Sequence, residues 1–338
     1  MPAAPRTAEL GTGLACALGA GLAWGLVFVA PAMLPAYPAA VLSVGRYLAF
    51  GLIAVALAWP ARAQLARLSR ADWIEAAKLS LVGNLLYYAL LASAIQTAGV
   101  PLPTMLIGTL PVVIAVCSNL SERTLPWARL APSLATMLAG IALVNHAELE
   151  RMRALDAGPD AGLRQAIGTA LAIGAVACWT WYPIRNARWM RRHAGTGSST
   201  WATAQGLTTL PLAAAGGAAL AAWHAAVAPL ASADGTPFTF PLGPEPVRFV
   251  VAMATIGLAA SWLGTSLWNQ ASRLLPTSLA GQLIVFETLS ALGYAFLLRG
   301  EPPTALALAG IALLVAGVVL GVRAFGRGAE VAASDPPH

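Results

Sequence analysis

Two ionisable side chains lie deep inside long apolar runs: Arg46 in the run 37–59 and Glu287 in the run 277–298. If the runs are helices, each charge sits roughly 14 to 17 Å from a helix end at a 1.5 Å rise per residue. That is near the midplane of a hydrocarbon core about 30 Å thick. A charge at such depth costs around 2.5 to 3.5 kcal/mol on insertion scales, so each is expected to face a partner or a water-filled cavity. There a guanidinium can attract a solute carboxylate, and a carboxylate can hold an amino group or a coupling proton. The structural alternative is that the two pair with each other, or with helix-end dipoles, and only stabilise the bundle. Desolvation and a nearby Arg46 act in opposite directions on the Glu287 carboxyl, so both possibilities stay open at this stage.

Aromatic and amide side chains gather in four of the runs: Trp24, then Asn84 with Tyr87 and Tyr88, then Trp179 with Trp181, then Ser261 and Trp262 with Trp268 and Asn269. A solute cavity needs apolar walls with a few convergent polar groups. The candidate substrate-binding set is therefore Trp24, Arg46, Asn84, Tyr87, Tyr88, Trp179, Ser261, Trp268, Asn269 and Glu287. Against this, small polar residues often only bond across helices, and Trp and Tyr also form interfacial belts. Trp59, Trp73, Trp127, Trp189, Trp201 and Trp223 lie near run ends and are assigned to such a belt. Gly19, Gly21, Gly25, Gly108 and Gly281 are read as sites of close helix approach. Pro111 and Pro183 are expected to interrupt helical hydrogen bonding, and Glu122, Arg123, Arg299 and Glu301 to sit at membrane surfaces as anchors or gate-rim ion pairs.

No catalytic constellation emerges. His146, His193, His224 and His338 lie in loops or at run ends, and Cys16, Cys117 and Cys178 lack metal-site or disulfide spacing. No catalytic residue, cofactor or metal is expected. A Gly-rich phosphate loop is also missing from the sequence, which argues against direct ATP coupling.

The elements that must position these residues follow from composition. The 338 residues are 58% hydrophobic and 10% charged, with a mean hydropathy of +0.70, whereas soluble domains are about a quarter charged. Apolar runs at 10–31, 37–59, 72–97, 100–119, 126–145, 165–185, 200–224, 247–272, 277–298 and 304–323 predict ten transmembrane helices. Pro60, the 99–103 stretch, Pro126, Pro276 and Pro302-Pro303 punctuate them as turns. The fold expected is an all-α membrane protein. With both termini cytoplasmic, 14 of the 20 Lys and Arg fall inside and five outside, as the positive-inside rule demands. The net charge of +6 is explained by that asymmetry, so no nucleic-acid partner is expected. Loops at 148–160 and 229–246 would then face outward, placing the chain in a bacterial inner membrane as a multi-pass protein.

The chain also repeats itself. Gly19 to Trp24 matches Gly174 to Trp179 at a shift of 155, and a shift of 177 lays Ala94 on Ala271, Asn84 on Ser261 and Gly140 on Gly317. A competing word, Ala-Gly-Ile-Ala-Leu at 139–143 and 309–313, is read as a coincidence of composition. Two five-helix repeats, 10–147 and 165–325, are flanked by short tails at 1–9 and 326–338. Because each repeat has an odd number of spans, the second must insert inverted, an arrangement that serves alternating access around a midplane site.

The words Ala23-Trp24-Gly25, Arg46-Tyr47 and Leu110-Pro111-Val112, with Glu122 and Glu301 after the fourth and ninth runs, resemble the drug/metabolite transporter superfamily in its EamA group. The sequence departs from that pattern at Thr288, where many relatives carry proline and a kink. The resemblance implies export of small metabolites, amino acids among them. Partners implied are a small-molecule solute and the lipid bilayer, with proton coupling at Glu287 an open option and the oligomeric state unassigned. An intramembrane enzyme would need paired catalytic groups, and a sensor or assembly protein would need a large soluble domain or tail. Neither feature is evident in the sequence.

Overall fold

A computed structural model describes residues 7–28, 33–34, 36–98, 101–123, 125–154, 161–227, 230, 237–300 and 302–334. In a hydrocarbon environment every backbone N–H and C=O must be satisfied within the chain, which leaves helices as the available solution for sequences this apolar. The described residues are accordingly all-helical. We label ten helical segments in chain order: α1 (Thr7–Gly25), α2 (Ala39–Leu65), α3 (Arg70–Ile95), α4 (Met105–Glu122), α5 (Trp127–Ala154), α6 (Ala161–Arg192), α7 (Ser198–Ala226), α8 (Pro246–Leu274), α9 (Thr277–Leu298) and α10 (Ala305–Ser334). Among the described residues nine, α2 to α10, contain a stretch long and apolar enough to cross a membrane. Glu9 and five glycines dilute the apolar character of α1 over 7–25.

Most of the packing partners follow one rule, the contacts of α6 with α8 and of α6 with the first piece of α9 standing outside it. α1 packs on α8 and α9, α3 on α6 and α7, α2 on α7 and α8, α4 on α6 and α9, and α5 on α10. Adding five to a label in the first half, and subtracting five in the second, turns each of these pairings into another of the set or into itself. The α5–α10 seam shows how closely the halves meet: a Cβ on Gly140 would lie 2.9 Å from the Gly310 carbonyl, and one on Gly310 would lie 3.0 Å from the Gly140 carbonyl. The repeated word at 139–143 and 309–313 thus has a packing reason, since its two glycines face each other.

Two helix irregularities recur at matching places. α3 widens into a π-helical turn at Leu81–Leu86 and α8 at Gly257–Leu263, ranges that nearly superpose at the shift of 177. The polypeptide entering α4 is broken between Pro101–Ile107 and Leu110–Glu122, and α9 is broken between Thr277–Leu283 and Val285–Arg299, again at that shift. Pro111 opens the second piece of α4, where a missing N–H is harmless. α9 breaks at Ile284 without any proline, so the absence of one at Thr288 does not keep it straight.

Several boundaries differ from those read off the sequence. α2 runs through Pro60 to Leu65 and α6 continues through Pro183, because one lost backbone bond does not end a helix held by its neighbours. α5 extends to Ala154, so the expected loop at 148–160 is helical at its start, where Glu, Arg and Met are good helix formers. Residues 155–160 lie outside the described residues, as do Glu301 and most of 228–236. In the described part of the second loop, Tyr37 donates to the Leu242 carbonyl at 2.8 Å, accepts from the Glu245 amide at 2.9 Å, and stacks on Phe249.

Candidate functional site

Four segments bring their aromatic side chains to one place. The Trp24 ring of α1 lies 5.8 Å from Trp179 of α6 and 5.3 Å from Trp268 of α8; Trp179 in turn stacks on Tyr87 of α3 at 4.9 Å and on Tyr182 at 5.1 Å. Such pairs contribute about 0.5–1.5 kcal/mol each beyond their buried area. Gly264 makes the arrangement possible, since a Cβ there would stand 2.8 Å from the Trp24 indole nitrogen. Trp24 is 5% exposed and Trp268 2% exposed, with the Trp268 N–H left without a hydrogen-bond partner. The repeat-matched residues Trp24 and Trp179 therefore meet inside the protein.

Beside this cluster the two midplane charges occupy half-buried positions. Arg46 donates from Nε to the Ser261 hydroxyl at 3.0 Å and lies 5.1 Å from the Tyr47 ring centroid. Among the described residues its remaining N–H groups have no hydrogen-bond partner. A small pocket of about 20 Å³, room for one water, adjoins the guanidinium and is lined by Val27, Leu42, Ser43, Tyr88, Met253 and Ile256. Glu287 sits in the first turn of the second piece of α9. It is brought to the centre because Gly21 and Gly25 let α1 ride directly on the α9 backbone: a Cβ on Gly21 would meet the Glu287 amide at 3.0 Å. Among the described residues the Glu287 carboxylate makes no hydrogen bond and no ion pair within 4.0 Å, although Arg46 and Tyr87 are within electrostatic reach. The two charges thus share one region, and the Arg46 charge acts on Glu287 across a gap wider than a direct ion pair among the described residues.

Not every expected residue joins them. Asn269 is fully buried elsewhere: it accepts from Asn186 at 2.8 Å and donates to the Ser198 carbonyl at 3.1 Å. Asn84 bonds to Thr209 on α7 at 3.4 Å, a cross-helix contact of the kind anticipated for small polar groups. The belt assignment fails for Trp189 and Trp201, whose rings stack on each other at 3.4 Å within the protein, one N–H donating to Asp72 and the other to Asn186 at 2.9 Å each. Position near a helix end does not reveal which way an indole points, and buried acceptors draw these two inward. Trp59, by contrast, is 73% exposed. The sequence reading missed Asn186, Gln205 and Tyr182. Asn186 accepts from Trp201 and from Gln205 (3.3 Å), and Tyr182 donates to Gln205 at 2.9 Å. The amide at 205, set among small and apolar residues, was the available signal, whereas Asn186 lies between Arg185 and Arg188 and gave none.

The arginine-rich end of the bundle is densely bonded. Glu75 of α3 pairs with Arg185 of α6, and Glu122 of α4 pairs with Arg191 at 2.7 Å and Arg188 at 3.7 Å. Arg191 also donates to Thr277 at 2.8 Å, at the start of α9. Asp72 caps α3 through Ser69, accepts from the Trp189 N–H at 2.9 Å and lies 3.3 Å from His193. An open polar pocket of about 390 Å³ lies among Ser69, Asp72, Glu75, Arg185, Arg192 and His193.

This architecture has known counterparts. A protein of known crystal structure, 18% identical in sequence, superposes with a TM-score of 0.69 over 94% of this chain and 98% of its own, so the fold is shared. The inner membrane protein YtfF of Escherichia coli (strain K12) is 48% identical over 318 residues, 93% of this chain and 95% of that protein. Residues 11–146 match the EamA-like transporter family. With nine apolar helices among the described residues and these relatives, the protein is a multi-pass inner-membrane transporter of the drug/metabolite type and belongs to the EamA-like transporter family.

Proposed function

We propose that the protein exports small metabolites carrying both a carboxylate and an amino group, amino acids above all, by alternating access between two inverted five-helix repeats. The observation that carries this reading is the pair Arg46 and Glu287. Two opposite charges in apolar helices, half-buried and not joined in an ion pair within 4.0 Å among the described residues, are costly to keep in a membrane unless they face water or a solute. A zwitterion satisfies both. Arg46 with Ser261 takes the carboxylate, Glu287 takes the amino group or a coupling proton, and Tyr87, Tyr88, Trp24 and Trp179 supply aromatic walls. Trp268, Asn269 and Asn84 support these groups from behind.

The exchange symmetry of the helix contacts, the matched π-turns of α3 and α8 and the matched breaks of α4 and α9 support ten spans in two inverted halves. Broken helices at the midplane are a recurring device for building solute sites in transporters. The arginine asymmetry supports a cytoplasmic location for both termini, with export toward the opposite face. The test is counterflow in proteoliposomes: purified protein preloaded with unlabelled amino acids should accumulate labelled ones transiently. Folded protein giving no counterflow across neutral, acidic and aromatic amino acids would reject the assignment.

A further inference from the structure

Among the described residues every ion pair between the first five segments and the last five involves the final turns of α6. Arg185, Arg188, Arg191 and His193 come from that single helix end, and Glu75, Glu122 and Asp72 face them from α3 and α4. From this geometry we infer that the end of α6 is a releasable electrostatic latch. It closes the arginine-rich mouth of the transporter and must disengage for the central site to open on that side. The inference rests on the alternating-access reading above.

Three features point the same way. The cations recur every three residues, so one rotation or withdrawal of α6 breaks all the contacts together. The cations remain partly solvated, Arg185 and Arg188 being 46% and 45% exposed at the side chain against 13% for Glu75 and 17% for Glu122, and pairs with a solvated partner are readily exchanged for water. A buried, permanent bridge would not suit a gate. Finally, the latch and the centre lie on one continuous helix: Trp179 is six residues before Arg185 on α6, about 9 Å along the axis. Movement of the cationic end therefore displaces an aromatic wall of the solute site. Arg191 extends the tie to Thr277, at the mouth of broken α9, so the helix bearing Glu287 is held by the same contact.

The experiment uses the full chain with Cys16, Cys117 and Cys178 replaced, spin-labelled at Ala71 and Ala194, two exposed positions on either side of the latch. Inter-label distances are measured in lipid by double electron–electron resonance, beside counterflow in the same preparation. The latch predicts one narrow distance in the parent protein. It predicts an added population longer by about 5 Å or more, a helical turn, in Glu122→Gln and in Glu75→Arg. The charge exchange Glu75→Arg with Arg185→Glu should restore the narrow distance, which a folding defect in Glu75→Arg would not allow. Unchanged distances in Glu122→Gln and Glu75→Arg, or no recovery in the exchange, would overturn the latch. Opening of the latch in a protein inactive toward every solute would instead count against the transport reading, leaving the latch intact.

Discussion

Replacing Asn186 by leucine removes the centre of the buried amide network while roughly conserving volume. Asn186 accepts from Trp201 Nε1 at 2.9 Å and from Gln205 at 3.3 Å, and donates to Asn269 at 2.8 Å. All three partners are essentially inaccessible to solvent, so the Trp201 donor and the Asn269 carbonyl lose their bonds with no water to replace them. In soluble proteins each orphaned group costs about 1–3 kcal/mol; interhelical bonds in membrane proteins average only about 0.6 kcal/mol because the unfolded chain also finds partners. Three bonds at the lower figure set a floor near 2 kcal/mol, and three fully orphaned groups, the Gln205 amide included, at the higher figure set a ceiling near 9 kcal/mol. Trp201→Phe removes only one bond and leaves Asn186 its Gln205 donor, so it should cost about 1 kcal/mol plus a packing term. Reversible unfolding in mixed micelles, followed by tryptophan fluorescence, measures both variants and the double. We expect a coupling of about 0.5–2 kcal/mol between the two positions. A cost below about 1 kcal/mol for Asn186→Leu, under the floor set by the interhelical average, would refute the view that this network holds α6, α7 and α8 together.

Other consequences are direct. Gly264→Val should push the Trp24 indole off α8, given the 2.8 Å separation already reached by a Cβ, and reduce counterflow at least tenfold while expression stays within twofold on the order expected for a local repacking; transport at the parent rate would show that the ring is not part of the site. Tyr37→Phe should free the Leu242 and Glu245 contacts, and faster amide exchange over 237–245 is the measurement; unchanged exchange there would show that the hydroxyl does not hold the loop. Glu287→Gln should abolish gradient-driven uptake into inverted vesicles and leave counterflow, since the amide mimics the protonated acid; parent-level gradient-driven rates would remove the coupling role.

Much of the architecture was legible because it is written in the bilayer's own terms. Apolar length located the helices, and nine of the ten runs carry a stretch long and apolar enough to cross a membrane among the described residues. Arg46, Glu287, Trp24 and Trp179 could be picked out because charge at depth and aromatic matches across a repeat are visible along one dimension. What was not legible was facing. Trp201 and Trp59 both lie near run ends, yet one is fully buried and the other 73% exposed, a difference set by which neighbour offers an acceptor. The break in α9 at Ile284 has no proline to announce it, and the buried fate of Asn269 depends on Asn186, 83 residues away.

In the proposed transport cycle Arg46 reads the carboxylate of the solute. This role is tested most directly by counterflow of an amino acid beside its carboxamide in the parent protein, Arg46→Lys and Arg46→Gln. A charge-assisted hydrogen bond of about 1.5–3 kcal/mol predicts that the parent prefers the carboxylate by roughly 10- to 150-fold. Arg46→Lys should keep part of that preference, and Arg46→Gln should transport both forms equally. An undiminished preference in Arg46→Gln, in protein of normal fold, would contradict the account.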